Sequence, residues 1–223
     1  MQFAYTTNTG DAATRARYNW VSKQVNGFMI PKEKKIALET GLQKLGLHLN
    51  GVSLDKLCSY HQQLLAWNKR INLISRKDEE RIIERHLLDS LTIFEVLSFP
   101  EGSRLLDLGS GGGLPGIPIK IAQPDLKVDL VEPTKKKCRF LQQVLEELGL
   151  EVVPVISKRA EELSKEEIYC GYYDFVTARA VAKPEKVEEI ALPLLKPGGR
   201  LIIYADPQAE GEKRFKIIEK TEK

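Results

Sequence analysis

The chain has 223 residues, enough for one domain with a sizeable core and a small appendage. Lys plus Arg number 34 against 31 Asp plus Glu, a formal charge of +3 that is compatible with an RNA partner without pointing to one. Three scattered cysteines without a Cys-x-x-Cys, and three histidines without ligand spacing, argue against a disulfide framework or a metal. No apolar run approaches the roughly 18 residues of a membrane span and no signal pattern opens the chain, so a cytoplasmic location is expected.

Residues 1–28 show no periodicity and carry loop formers such as Thr6-Thr7-Asn8-Thr9-Gly10. Met29 stands just before the first clean pattern and is an alternative start, so 1–30 reads as an extension. From Pro31, Ile36, Leu38, Leu42 and Leu45 predict a helix ending near Gly46. Ser53 is placed to cap a second helix carrying Leu54, Leu57, Leu64, Leu65 and Trp67. Asp78 is placed to cap a third, with Ile82, Ile83, His86, Leu87, Ser90, Leu91 and Phe94 along one side. Residues 31–100 therefore read as a helical N-terminal subdomain.

From Ser103 the pattern changes. Strands are expected at Leu105–Leu108, Val128–Val131, Val152–Ile156, Tyr173–Thr177 and Arg200–Tyr204, with helices at Thr134–Leu148 and Pro184–Leu195 between them. Pro154 cannot donate to a ladder, which puts its strand at a sheet edge. Alternating strands and helices imply an α/β, Rossmann-like doubly wound parallel sheet over 101–223. In such sheets ligands bind at the carboxyl ends of strands, near the switch point.

The loop after the first strand lies there. Arg104-Leu-Leu-Asp-Leu-Gly-Ser-Gly-Gly-Gly-Leu-Pro-Gly116 has glycines at 109, 111 and 113, then leads into Ile119-Lys-Ile-Ala122. A dinucleotide fingerprint fails because its sixth position is Leu114, and a Walker loop fails for want of a lysine. What remains is Asp-x-Gly-x-Gly-x-Gly, the first motif of methyltransferases that use S-adenosylmethionine. That cofactor's ammonium and sulfonium want a carboxylate and carbonyls, which Asp107 and the bent backbone at Gly109 and Gly111 can supply. The plain alternative is a glycine-rich turn without a ligand.

Glu132 closes the second strand, roughly 20 residues past the loop, where an acid takes ribose hydroxyls. After the third strand, an N–H near Ala160 can donate to adenine and Glu161 can accept from its amine. Arg179, ending the fourth strand, points at the cleft to meet a base, a phosphate or the cofactor, or else forms a structural ion pair. Lys135, Lys136, Lys137 and Arg139 open a helix whose dipole they oppose, which suggests an anionic partner; a solvated face is the alternative. His86, Asp89 and Ser90 share a side of the third helix, as a structural network or as part of the cleft wall.

Trp67-Asn-Lys-Arg-Ile-Asn-Leu-Ile-Ser75, Arg85-His-Leu-Leu-Asp-Ser90, Asp107 to Pro118 and Ala178-Arg-Ala180 together resemble the glucose-inhibited division protein B family, bacterial methyltransferases of guanine N7 in small-subunit ribosomal RNA. The resemblance runs from about Pro31 to Tyr204. It implies a class I methyltransferase fold, and contacts to S-adenosylmethionine from Gly109, Leu114, Ala160, Glu161 and Arg179, with Glu132 on the ribose and S-adenosylhomocysteine as product. It also implies 16S ribosomal RNA or the small-subunit particle as partner. Residues 1–28 match nothing in the family pattern. After Tyr204 the family continues with a helix and an antiparallel strand pair, whereas here Arg214-Phe-Lys-Ile-Ile218 leaves one final strand.

The expected reaction is methyl transfer to guanine N7, with Arg179 in the catalytic site, on a protein without a metal and expected to be a monomer. Two rivals stand beside it. One is a class I methyltransferase for a small molecule or protein; the other is a non-catalytic module that binds S-adenosylmethionine and RNA.

Overall fold

The computed structural model describes residues 30–205 and 214–221; the expected extension at 1–28 and the alternative start at Met29 lie outside them. The first helix, α1 (Lys32–Lys44), buries Leu38 and Leu42. The second, α2 (Gly51–Asn68), begins earlier than expected. Its cap is Asn50, whose side chain accepts from Ser53 N at 2.8 Å, while the Ser53 hydroxyl donates to the Ile121 carbonyl instead.

The third helix is not one regular helix. A 3-10 turn (Arg76–Arg81), a π-helical turn (Ile83–Leu88), a short α3 (Asp89–Leu91) and a second 3-10 turn (Thr92–Glu95) follow one another. Ser75, not Asp78, caps its start, because the Asp78 carboxylate is drawn to Arg85 at 3.0 Å. The wide turn and α3 together still bury Ile83, Leu87 and Leu91 while bringing His86 and Asp89 against Arg179 of the sheet. Wide turns of this kind concentrate at functional sites.

Among the described residues six strands form one sheet, in the order β3-β2-β1-β4-β5-β6. They are β1 (Arg104–Leu108), β2 (Lys127–Val131), β3 (Val155–Ile156), β4 (Tyr173–Arg179), β5 (Leu195–Tyr204) and β6 (Phe215–Glu219). The first five run parallel and β6 is antiparallel to β5. Between them lie α4 (Gly116–Ala122), α5 (Lys135–Glu147), α6 (Ala160–Leu163) and α7 (Pro184–Leu194). The edge strand β3 is shorter than expected: Pro154 has no N–H, and only its carbonyl joins the ladder, accepting from Leu130 N. Among the described residues, the single final strand expected after Tyr204 is present as β6.

Side chains of β1 alternate between the two faces, as a pleated strand requires. Leu105 faces a cluster that joins α1, α2 and the 76–95 segment to α4 and α5; Leu106 and Leu108 face a second cluster built around α7. The helical region is thus bound to one sheet face by a shared core. Polar ties reinforce it: the Tyr60 hydroxyl donates to the Gly112 carbonyl, and the Tyr204 hydroxyl to the Ser90 carbonyl at 2.8 Å. Among the described residues no helix is long and apolar enough to cross a membrane.

Candidate functional site

The strand order reverses between β1 and β4, so the loops that leave their carboxyl ends diverge and open a cleft. It is an open cleft of about 1150 Å³, floored by Gly109, Ser110, Gly111 and Gly112 and walled by Asp78, Arg85, His86 and Arg179 on the helical side. Val181, Pro184, Ile203 and Phe215 give its other wall an apolar character.

Two glycines explain the floor. Gly109 has φ +67°, and a Cβ there would stand 2.8 Å from Val181, so only glycine lets the β4–α7 loop close over the turn. Gly111 has φ +54°, and a Cβ there would meet only the Gly109 carbonyl at 3.7 Å, leaving it in the open cleft. A side chain at 111 would fill the space that a ligand needs. A floor of backbone amides and carbonyls without side chains suits the amino-acid tail and sulfonium of S-adenosylmethionine.

The predicted cofactor contacts fall into separate groups. Gly109, Gly111, Leu114 and Arg179 line the cleft together. Glu132, Ala160 and Glu161 stand outside its lining but along the same carboxyl edge, at the ends of β2 and β3. Register pairs Leu108 with Val131 and Val131 with Ile156, placing Glu132 and the α6 start one and two strands from the loop. Glu132 is buried and braces this edge: its carboxylate accepts from Gly111 N at 3.0 Å and Thr134 N at 2.8 Å. A carboxylate has about four acceptor sites, so lone pairs remain for a ribose. Ala160 is buried and Glu161 exposed, and Ala160 opens α6, where amides lack intrahelical partners.

Asp107 departs from the expectation. Its carboxylate points below the loop, fully buried, accepting from Gly116 N at 3.2 Å and the Thr177 hydroxyl at 3.0 Å, and it does not line the cleft. Burial pushes its carboxyl up to about 7 against the pull of those hydrogen bonds. It anchors the glycine turn to α4 and β4, and a Cβ on Gly116 would come within 2.9 Å of it.

Arg179 forms the structural ion pair offered as its alternative, at the edge of the cleft. Its side chain lines the cleft, yet its guanidinium grips the helical region. Nη2 donates to the Arg85 carbonyl at 2.7 Å and lies 2.8 Å from His86 Nδ1, while Nη1 faces Asp89 Oδ2 at 3.3 Å. A guanidinium has only donors, so His86 Nδ1 accepts and Nε2 carries the ring proton. Burial first, then the neighbouring Arg179, lowers the His86 pKa to about 4, leaving it neutral near pH 7. Four buried side-chain polar atoms among the described residues have no hydrogen-bond partner, and three lie in this wall: His86 Nε2, Asp89 Oδ2 and Arg179 Nη1. Asp89 Oδ2 and Arg179 Nη1 still meet as an ion pair, which leaves His86 Nε2 as the one of the three with no polar partner in hydrogen-bond reach, a rarity in folded proteins. The next residue, Ala180, has φ +53°, a conformation that L side chains rarely adopt.

Residues 53–221 match the family GidB, described as rRNA small subunit methyltransferase G. The chain belongs to this family. Among its relatives, the ribosomal RNA small subunit methyltransferase G of Alkaliphilus metalliredigens is 39% identical over 180 residues, covering 81% of this chain and 75% of that one. The protein of the same name from Sorangium cellulosum is 44% identical over 172 residues, covering 77% and 72%. The GidB-family protein is thus a class I methyltransferase with S-adenosylmethionine as its methyl donor, as the glycine loop and the doubly wound sheet led one to expect.

Among the described residues no group of three His, Cys, Asp or Glu is arranged to hold a metal. Lys135, Lys136 and Arg139 are exposed on α5, while Lys137 is half-buried and reaches the cleft. Sequence reasoning missed Asp78 and Ala180. Asp78 looked like a helix cap because its type and place fit one; no local signal marked the strain at Ala180.

Proposed function

We propose that this GidB-family methyltransferase acts on N7 of a guanine in small-subunit ribosomal RNA. The observation that carries the reading is the state of the cleft wall. Methylating an exocyclic amine or a ring N–H requires a group to take a proton. His86 cannot, since its Nδ1 lone pair is engaged by Arg179 and its Nε2 already holds the proton, which leaves only the Asp78 carboxylate, ion-paired to Arg85, among the described lining residues. Guanine N7 needs no such group, because it presents an in-plane lone pair and no hydrogen.

When bound, S-adenosylmethionine supplies an electrophilic methyl group. That methyl would pass to the N7 lone pair, and the electron pair of the broken C–S bond would stay on sulfur. The positive charge passes to the purine and no proton moves. The protein's part is therefore positioning, worth up to roughly 7 to 11 kcal/mol when the reacting atoms are held in line. The floor at Gly109 and Gly111 and the side chain of Leu114 bind the tail, Glu132 takes the ribose, and Ala160 and Glu161 take the adenine. Arg179 fixes the helical wall against β4 through Arg85, His86 and Asp89. Lys135, Lys136, Lys137 and Arg139, without ion-pair partners among the described residues, hold the RNA backbone beside it.

Purified protein, S-adenosylmethionine and unmodified small-subunit RNA, followed by mass mapping of the methylated nucleotide, test this. N7-methylguanine is expected. Methylation of a base amine would remove the N7 assignment, and unlabelled RNA would leave the small-molecule or non-catalytic readings.

A further inference from the structure

Among the described residues, Asp78 is the one carboxylate lining the cleft. Its side chain is only 14% exposed, and its Oδ1 is held by Arg85 Nη1 at 3.0 Å, which fixes the direction of the group. Its Oδ2 lies 3.8 Å from His86 Nε2, too far for a hydrogen bond between them. Because Arg179 locks the tautomer of His86, the wall presents an acceptor and a neutral donor side by side, each without a partner of its own.

We propose that this pair reads the target base, with Asp78 Oδ2 accepting from guanine N1–H and His86 Nε2–H donating to O6. The inference rests on the guanine-N7 reading above. Guanine carries a donor at N1 beside an acceptor at O6, the complement of the pair. Adenine carries the reverse, an acceptor at N1 beside a donor at N6, and would set like against like at both positions. Nε2 is buried in the free protein, so entry of the base must uncover it.

The same hydrogen bond acts on the rate. As N7 gains the methyl group, the purine becomes positive and N1–H becomes more acidic. The bond to Asp78 therefore strengthens on the way to the transition state, and an interaction that strengthens there raises kcat. Neither partner gives up a proton.

The test compares two RNA fragments, one with guanine and one with 2-aminopurine at the target position. 2-Aminopurine keeps N7 and the 2-amino group but lacks both N1–H and O6. Wild-type protein should lose at least about a hundredfold in kcat/KM on the substituted RNA, two missing hydrogen bonds at about tenfold or more each. In Asp78→Asn the same RNA change should cost at least about tenfold less, because the two changes remove one shared hydrogen bond. The RNA substitution needs no protein variant, so misfolding cannot obscure the first comparison.

If wild type methylates both RNAs equally well, the inference is wrong, and it is equally wrong if the guanine preference is the same in Asp78→Asn. Calorimetry with S-adenosylhomocysteine separates a rival role. If Asp78 instead holds the cofactor's ammonium, Asp78→Asn will weaken that binding while leaving the guanine preference intact, and the proposal is overturned. Absence of N7 transfer to the unsubstituted RNA would defeat the proposed function itself, and this inference with it.

Discussion

Strand alternation decides what Asp107 does. Its type and its place before the glycines suggested a ligand for a cationic cofactor, but it shares a face with Leu105 and so points under the loop, where Gly116 N–H and the Thr177 hydroxyl meet it. That burial has a pH signature. The folded protein holds the Asp107 proton up to about 7, whereas an unfolded aspartate loses it near 3.9. The folded state binds the proton more tightly, so this group's contribution to stability falls as pH rises from about 4 to about 7. Asp107→Asn removes that fall. The melting temperature of the variant, compared with wild type, should be more favourable at pH 8 than at pH 5. An identical offset at both values would mean that Asp107 titrates as an ordinary carboxylate. His61 and His86, lowered by burial to about 4, act in the opposite sense and lose stability as pH falls from about 6.5, but they are common to both proteins and cancel. At this scale residue types were legible in the sequence and directions were not. Glycine at 109 and 111 announced a ligand-bearing turn, whereas the partner of Asp78 lies seven positions along the chain, through a turn whose width no periodicity revealed.

Helix α5 shows both what an element declares and what it withholds. Phe140, Leu141, Val144 and Leu145 recur at helical spacing and are buried as the pattern required. The 76–95 segment carried an equally good pattern and buried Ile82, Ile83, Leu87, Ser90 and Leu91 from it, with His86 and Phe94 half-buried, yet it folds as a series of tight and wide turns. Hydrophobic spacing fixes which side is covered and tolerates a local change of pitch. The cations at the start of α5 make a second prediction. In a first turn each costs roughly 0.3 to 1 kcal/mol against the helix dipole. Replacing Lys135, Lys136 and Lys137 by Ala should therefore leave the fold at least as stable while weakening RNA binding. The slope of log affinity against log salt should become shallower by about 0.7 to 0.9 for each phosphate that the variant no longer neutralises. A variant with unchanged slope would place these lysines on an ordinary solvated face.

For the whole molecule, alternating strands and helices after Ser103 made the doubly wound sheet readable, including the edge position of β3 and a strand after Tyr204. The sequence invites a division near residue 100, because helices end there and strands begin. The core does not respect that line. Leu38, Leu57, Leu64 and Ile82 from the helical side pack in one cluster with Ile117, Leu130, Phe140 and Ile202 from the sheet side. Pulling the two apart would expose all of them, at roughly 25 cal/mol for each Å² of apolar surface. Trp67 reports directly on this junction, since its ring meets Phe140 edge to face at 5.7 Å between centroids. In a Trp20→Phe background, where Trp67 is the remaining tryptophan, its fluorescence and the far-ultraviolet circular dichroism should trace the same denaturant transition. The cleft wall depends on that unity, because Arg179 on β4 holds Arg85, His86 and Asp89 in place from across the junction. Should the Trp67 signal change at lower denaturant than the sheet, the helical region would be an independent unit, and the wall carrying Asp78 and His86 would be free to move away from the glycine floor.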